Sequence, residues 1–129
     1  MYHEYKVQDG SSAHCRCRAR RTTQGLHAQA KLKAYSVSEL DITDVKAQET
    51  YVPSARKAIA DAHGRPLRTA GGRVVHIEGA AAPKSAAIVE WDSVDDAVAF
   101  YKSKAWTDLE PQRAKSYKLV RRYVVETEK

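Results

Sequence analysis

The side chains in this sequence with the types needed for chemistry gather around one stretch, residues 86–113. They are Tyr51, His63, Arg65, His76, Glu78, Glu90, Trp91, Tyr101, Trp106 and Arg113. As a set they suit a small pocket: Trp91, Tyr101 and Trp106 as apolar walls, and Arg113 or Arg65 as a two-pronged partner for a ligand carboxylate. His63 or His76 would be the general base, because histidine titrates nearest neutral pH. Glu90, at the end of a buried strand, needs a partner if it points inward, and Arg113 is the first to expect. A purely structural reading competes: the rings are core, and Arg113 is tied to Glu90 or Glu78. The sequence has no G-x-S-x-G, P-loop, G-x-G-x-x-G or H-E-x-x-H motif. Residues 33–129 contain no cysteine and no spaced set of metal ligands, so no metal and no cofactor are expected there.

The elements that must position these groups follow from hydrophobic periodicity. Within 86–113, the run Ala86–Val89 closing at Glu90-Trp91 reads as a buried strand. Ser93 with Asp96 resembles a capping box, and Val94, Ala97, Val98 and Tyr101 then fall on one helical face. Thr107 and Glu110 bracket a second short helix over about 106–114, with Pro111 in its first turn. Upstream, Tyr35, Val37 and Glu39 alternate with Ser36, Ser38 and Leu40 as a first strand. Asp44 caps a helix over about 45–62, whose face is Val45, Val52, Ala55, Ile59 and Ala62. Pro53 predicts a kink or break near Tyr51-Val52, and Gly64 a left-handed helix end. Residues 65–70 read as a short strand, Gly71-Gly72 as a turn or bulge, and 74–78 as a further extended piece closed by Gly79. Residues 117–125 are rich in β-branched and aromatic side chains and read as the last strand. The order is β-α-β-β-α-β, an α+β, ferredoxin-like arrangement with an antiparallel sheet. Its strands are apolar on both sides, so the face left bare by the helices calls for a second subunit, a homodimer.

Composition bounds the rest. The chain has 129 residues, enough for one domain, and its 43% hydrophobic and 29% charged residues are ordinary for a globular protein. The net charge of +6 is uneven. Residues 1–32 hold six Lys/Arg against Glu4 and Asp9, a net +4, leaving sixteen against fourteen, a net +2, for 33–129. A nucleic-acid-binding face on the folded part is therefore not expected. Residues 1–32 lack a sustained period and large aliphatics, and read as a basic, mobile tail. Contact with nucleic acid through the Arg16–Arg21 arm is the alternative role for that tail. A metal site from His14, Cys15, Cys17 and His27 is disfavoured by the Cys-x-Cys spacing. No membrane-length apolar run and no secretory leader are recognisable, so a cytoplasmic location is expected.

Over residues 33–127 the sequence resembles the domain of unknown function 1330 group of the dimeric α+β barrel superfamily. The carriers are Asp44, Tyr51 and Pro53, then His63-Gly64-Arg65, Gly71-Gly72, Glu78-Gly79 and Glu90-Trp91-Asp92-Ser93. The densest match is Phe100-Tyr101, Ser103, Trp106, Leu109 and Arg113. Trp106 stands where the family has tyrosine, and His63-Gly64 replaces a common Tyr/His-Gly-Gly. The resemblance implies a small cytoplasmic dimer whose sheets face each other, with no assigned activity. Related dimeric barrels include cofactor-free monooxygenases, haem-handling proteins and isomerase-like enzymes. The function this supports is binding of a small organic ligand, aromatic or carboxylate, extending to cofactor-independent catalysis. A non-catalytic dimeric scaffold is the other reading.

Overall fold

The computed structural model describes residues 31–129, and what is expected of residues 1–30 lies outside them. From Leu32 onward the chain forms one unit. Its elements are β1 (Ala34–Ile42), α1 (Val45–Asp61), β2 (Arg65–Pro66), β3 (Ser85–Trp91), α2 (Val94–Lys102), α3 (Lys104–Thr107), α4 (Glu110–Ser116) and β4 (Tyr117–Glu126). The four strands make one sheet in the order β2-β3-β1-β4, and every pairing is antiparallel. This is the ferredoxin-like split βαβ topology. The two ends of the domain meet, because the backbone N–H and the hydroxyl of Thr127 both donate to the Lys33 carbonyl, at 2.8 and 2.9 Å.

One face of the sheet carries the helices and the core. Leu40, Val89, Trp91 and Tyr117 from the strands pack against Tyr51, Ala55 and Ile59 of α1 and Ala97 and Phe100 of α2. Asp44 caps α1 by accepting from the Ala47 N–H at 3.0 Å, and Ser93 caps α2 by accepting from the Asp96 N–H at 3.1 Å. Both predicted stripes reach the core through Ala55, Ile59 and Ala97, with Ala62 and Tyr101 packed against it, but not at every position. Val45 is 67% and Val98 37% exposed, while Tyr51 and Phe100 take the core positions. A large ring buries more apolar area than a valine, so Tyr51 and Phe100 take the places nearest the sheet. No break occurs at Pro53: the helix is continuous from Val45 to Asp61. Pro53 lies on the exposed side, where the carbonyl its ring deprives of a partner is open to water. The second helical segment is split into α3 and α4, with Pro111 in the first turn of α4 and no side-chain cap from Thr107.

The connection from α1 to β2 corrects another expectation. The left-handed residue is His63, with φ 66°, not Gly64. The His63 N–H donates to Ala60 O at 3.0 Å and the Gly64 N–H to Ile59 O at 2.9 Å, which is a Schellman ending. Glycine is required at 64 for a different reason: a Cβ there would lie 2.6 Å from Ile59 Cγ2 and 2.8 Å from Trp91 Cη2. β2 is shorter than the predicted 65–70 because Pro66 has no N–H to extend the ladder. Leu67 N–H still donates to Ile88 O at 2.9 Å, and the Thr69 hydroxyl accepts from the Ile88 N–H at 3.2 Å before the chain turns. Residues 74–78 form no strand with the described residues.

The opposite face of the sheet has no helix on it. The pairing registers place Tyr35 and Val37 of β1, Ile88 of β3 and Tyr123 and Val125 of β4 there. Tyr123 and Val125 are 43% and 50% exposed. In β4 one extra residue, Val120, interrupts the register, so that Leu40 faces Leu119 while Glu39 faces Arg121. The bulge puts Tyr117 and Arg122, five residues apart, on the same helix-covered face.

The two glycine-related positions predict opposite outcomes. Gly64→Ala should cost about 1–3 kcal/mol through overpacking against Ile59 and Trp91. His63→Gly should stabilise by about 0.5–1 kcal/mol by relieving the left-handed backbone. Urea denaturation checks both, as shifts in midpoint of opposite sign with an unchanged slope.

Candidate functional site

The helix-covered face is polar at its centre. Ser36 is fully buried, and its hydroxyl accepts from Trp91 Nε1 at 3.0 Å and is shared with the Tyr101 hydroxyl at 2.8 Å. This satisfies the Trp91 indole inside the core, so Trp91 is a packing residue and not the pocket wall expected of it. Two residues along β1, Ser38 meets the next polar group: Arg122 Nε donates to its hydroxyl at 2.7 Å, and Arg122 Nη2 donates to the Tyr117 hydroxyl at 3.1 Å.

Small serines on a strand beneath a helix leave space, and here the space is a cavity of about 90 Å³ between α1 and the sheet. Leu40, Tyr51, Ala55 and Val89 form its buried floor, and Tyr101, Trp106 and Arg122 lie along it. Its rim is the exposed side chains of Arg56, Pro66 and Leu67. The Arg122 guanidinium carbon sits 4.9 Å from the Tyr101 ring centroid and 4.8 Å from that of Trp106. It has no carboxylate partner among the described residues, and no acidic side chain lines the cavity. Gln48 also lines it, and its Oε1 is buried without a hydrogen-bond partner among the described residues. A cation without a counter-ion, phenol hydroxyls and an unpartnered amide oxygen around an apolar floor can receive a small anion that also donates a hydrogen bond.

Of the residues singled out in the sequence, Tyr51, Tyr101 and Trp106 come together here. The others do not. Arg113 is not part of the cavity lining: it packs its guanidinium 4.1 Å from the Trp106 ring centroid and donates to the Trp106 carbonyl at 3.0 Å. It forms no pair with Glu90 or Glu78. Glu90 belongs to the sheet's open face by register, where Lys33 donates to it at 2.7 Å and Arg65 at 3.1 Å. Arg65 also reaches Asp92 at 2.9 Å. The Lys33 ammonium, helped by Arg65, holds the Glu90 carboxyl below its ordinary range. Alternation explains the failed pairing: in β3, Val89 and Trp91 point into the core, so Glu90 between them must point away. His63 is exposed at the end of α1, and His76 and Glu78 are exposed in the loop before β3. Among the described residues no group of three potential metal ligands occurs, and no helix is long and apolar enough to cross a membrane.

The residues that sequence reasoning missed are Ser38, Gln48, Tyr117 and Arg122. Serines on the core-facing side of β1 were a usable signal, since a buried hydroxyl must find a partner. For Arg122 there was none, because only the bulge at Val120 turns it toward the helices.

Residues 33–127 match the family described as "Domain of unknown function (DUF1330)". No curated protein matches the chain. Solved structures of similar fold include a protein of unknown function from Rhodopseudomonas palustris, 11% identical, covering 84% of this chain and 93% of that one with a TM-score of 0.61. A conserved protein from Methanosarcina mazei Go1 is 10% identical over 79% of this chain and 99% of that one, with a TM-score of 0.49. A dimeric protein of unknown function and ferredoxin-like fold from Bacteroides fragilis is 16% identical over 78% and 97%, with a TM-score of 0.41. At 11% identity the likeness to the Rhodopseudomonas palustris structure is one of fold.

The phenols of the cavity have a definite pH signature. Burial, reinforced by Tyr117 and opposed by Arg113, raises the Tyr51 pKa well above its ordinary 10.0. Burial raises Tyr101 as well. The folded state therefore holds these protons more tightly than the unfolded chain. The linked stability is complete below pH 10 and is lost as pH rises further. Tyr51→Phe should flatten that alkaline loss while leaving the stability profile between about pH 6 and 8 level, read by urea melts across the pH series.

Proposed function

The chain belongs to the DUF1330 family, and we propose that it is a homodimer that binds a small organic carboxylate in the cavity beneath α1. The observation that carries the ligand reading is Arg122, a half-buried guanidinium on the cavity wall without an acidic partner among the described residues. Burying a cation there has a desolvation cost, which the Ser38 and Tyr117 hydroxyls and two aromatic faces offset in part. A carboxylate completes the compensation with charge-assisted hydrogen bonds.

Size supports the same class. At about 10–15 Å³ for each water-sized occupant, the volume holds roughly six to nine heavy atoms, the scale of a short aliphatic or single-ring acid. The apolar floor suits its carbon skeleton, and Tyr51 and Tyr101, kept protonated by burial, remain donors at neutral pH. Neither His63 nor His76 lines the cavity, so the arrangement favours binding ahead of histidine-driven proton abstraction. The homodimer reading rests on the open face of the sheet, where Tyr35, Val37, Ile88, Tyr123 and Val125 form an apolar surface.

Thermal-shift and calorimetric titration with a panel of aliphatic and aromatic acids of up to about nine heavy atoms tests the site. A ligand at a hundred times its Kd should stabilise the protein by about 2.7 kcal/mol, a rise in Tm of roughly 10 °C. Arg122→Met keeps the contact with Tyr101 and Trp106 but removes the charge, and should weaken binding about 10–100-fold. No stabilisation by any acid, or equal binding by the Met variant, would overturn the reading.

A further inference from the structure

Between β2 and β3 the chain runs through residues 73–83 without entering the sheet. None of these residues makes a hydrogen bond or ion pair with the other described residues, although backbone N–H and C=O groups demand partners. The middle of this strap alternates. Val74 and His76 turn toward its own returning limb, lining a shallow cleft with Gly79 and Ala81–Lys84. Val75 and Ile77 turn outward and are 60% and 84% exposed. Two large apolar side chains at period 2, on a backbone with no hydrogen-bond partner among the described residues, have the pattern of a strand whose neighbour lies in another molecule.

The base of the strap adjoins the bare sheet face. Ala80–Lys84 shares a second cleft with Glu39, Asp41, Val120 and Arg121, and Lys84 reaches Asp41 at 3.4 Å. That face by itself is small for a dimer. Its long strands have 9, 7 and 10 residues, so they span about 29 Å by 14 Å, or about 400 Å². A stable interface takes about 800 Å² from each partner. Residues 74–78, about 16 Å of backbone when extended, would add to that face from outside the sheet. Residues 1–30 are a poorer cover, since their only large aliphatics besides Met1 are Val7 and Leu26.

We infer that the strap of one copy lies along the free edge of β4 in a second copy, as an added strand. Its 74–78 backbone pairs with that edge, and Val75 and Ile77 seat beside Tyr123 and Val125 of the partner subunit. The inference rests on the homodimer reading and adds the element that completes its interface. β4 is an outer strand of the sheet and carries ten residues with an unpaired side among the described residues, a receptive edge for such pairing.

The experiment uses the full chain. Sedimentation equilibrium should show a dimer, and the double variant Val75→Asp/Ile77→Asp should raise its dissociation constant about 100-fold or more. The helical circular-dichroism signal and the urea midpoint of the diluted protein should not change, because both side chains are exposed in the single chain. In parallel, hydrogen exchange on the wild type should show amides 74–78 and the β4 edge protected at high concentration, with both losing protection together on dilution. A wild-type dimer unaffected by the double variant overturns the strap and leaves the face-to-face dimer standing. Protection of 74–78 that persists on dilution assigns the cover to the protein's own chain and overturns it as well. A monomeric wild type overturns both readings.

Discussion

A serine hydroxyl in the middle of the core sets much of this structure. Ser36 is fully buried on β1, and the Trp91 indole of β3 and the Tyr101 hydroxyl of α2 both meet it. An indole N–H or a phenol left unpaired in that setting would cost about 1–3 kcal/mol, so the three groups fix one another. β1 and β3 are held in register by their backbones, and α2 is set over them by a polar contact that only one placement satisfies. Trp91 then packs on Phe100, at 5.1 Å between centroids, and Phe100 on Trp106 at 5.4 Å. The aromatic layer propagates the placement from the sheet into α3.

The same choice of small hydroxyl residues on β1 creates the cavity. Leucine or valine at 38 would fill the space under α1 and leave Arg122 without its serine. With serine there, the fold trades apolar packing for a polar, hollow centre, and Trp106 is flanked by the Arg113 and Arg122 guanidiniums. No carboxylate among the described residues answers either cation. The carboxylates are instead spent on the outside, where Glu90 and Asp92 engage Lys33 and Arg65, and Glu39 engages Arg121. Glu39 and Glu90 are thus paired on the open face of the sheet, while the half-buried Arg113 and Arg122 have no carboxylate partner among the described residues.

The sequence disclosed the elements well because periodicity and caps are local. Asp44 and Ser93 begin their helices where expected, and the four strands fall in the predicted order. It disclosed rotation less well. Val45 and Val98 fit the helical stripes on spacing alone, but Tyr51 and Phe100 occupy the core, a choice made by the depth of the opposing sheet. The site was half legible: Tyr101 and Trp106 were named, while Arg113 was preferred to Arg122. A single inserted residue at Val120 reverses the alternation of everything beyond it, and nothing in the local composition of β4 announces it. Residues 74–78, expected from the sequence as an extended piece, form no strand with the described residues.

The meeting of Thr127 with the Lys33 carbonyl has a topological consequence. The entrance and exit of the folded unit share one corner of the sheet, so chain order is nearly arbitrary there. A short linker across that corner would allow new ends to be opened elsewhere, and the unit could be spliced into a loop of another protein without stretching it. The fold is in this sense a closed circuit that happens to be cut between β4 and β1.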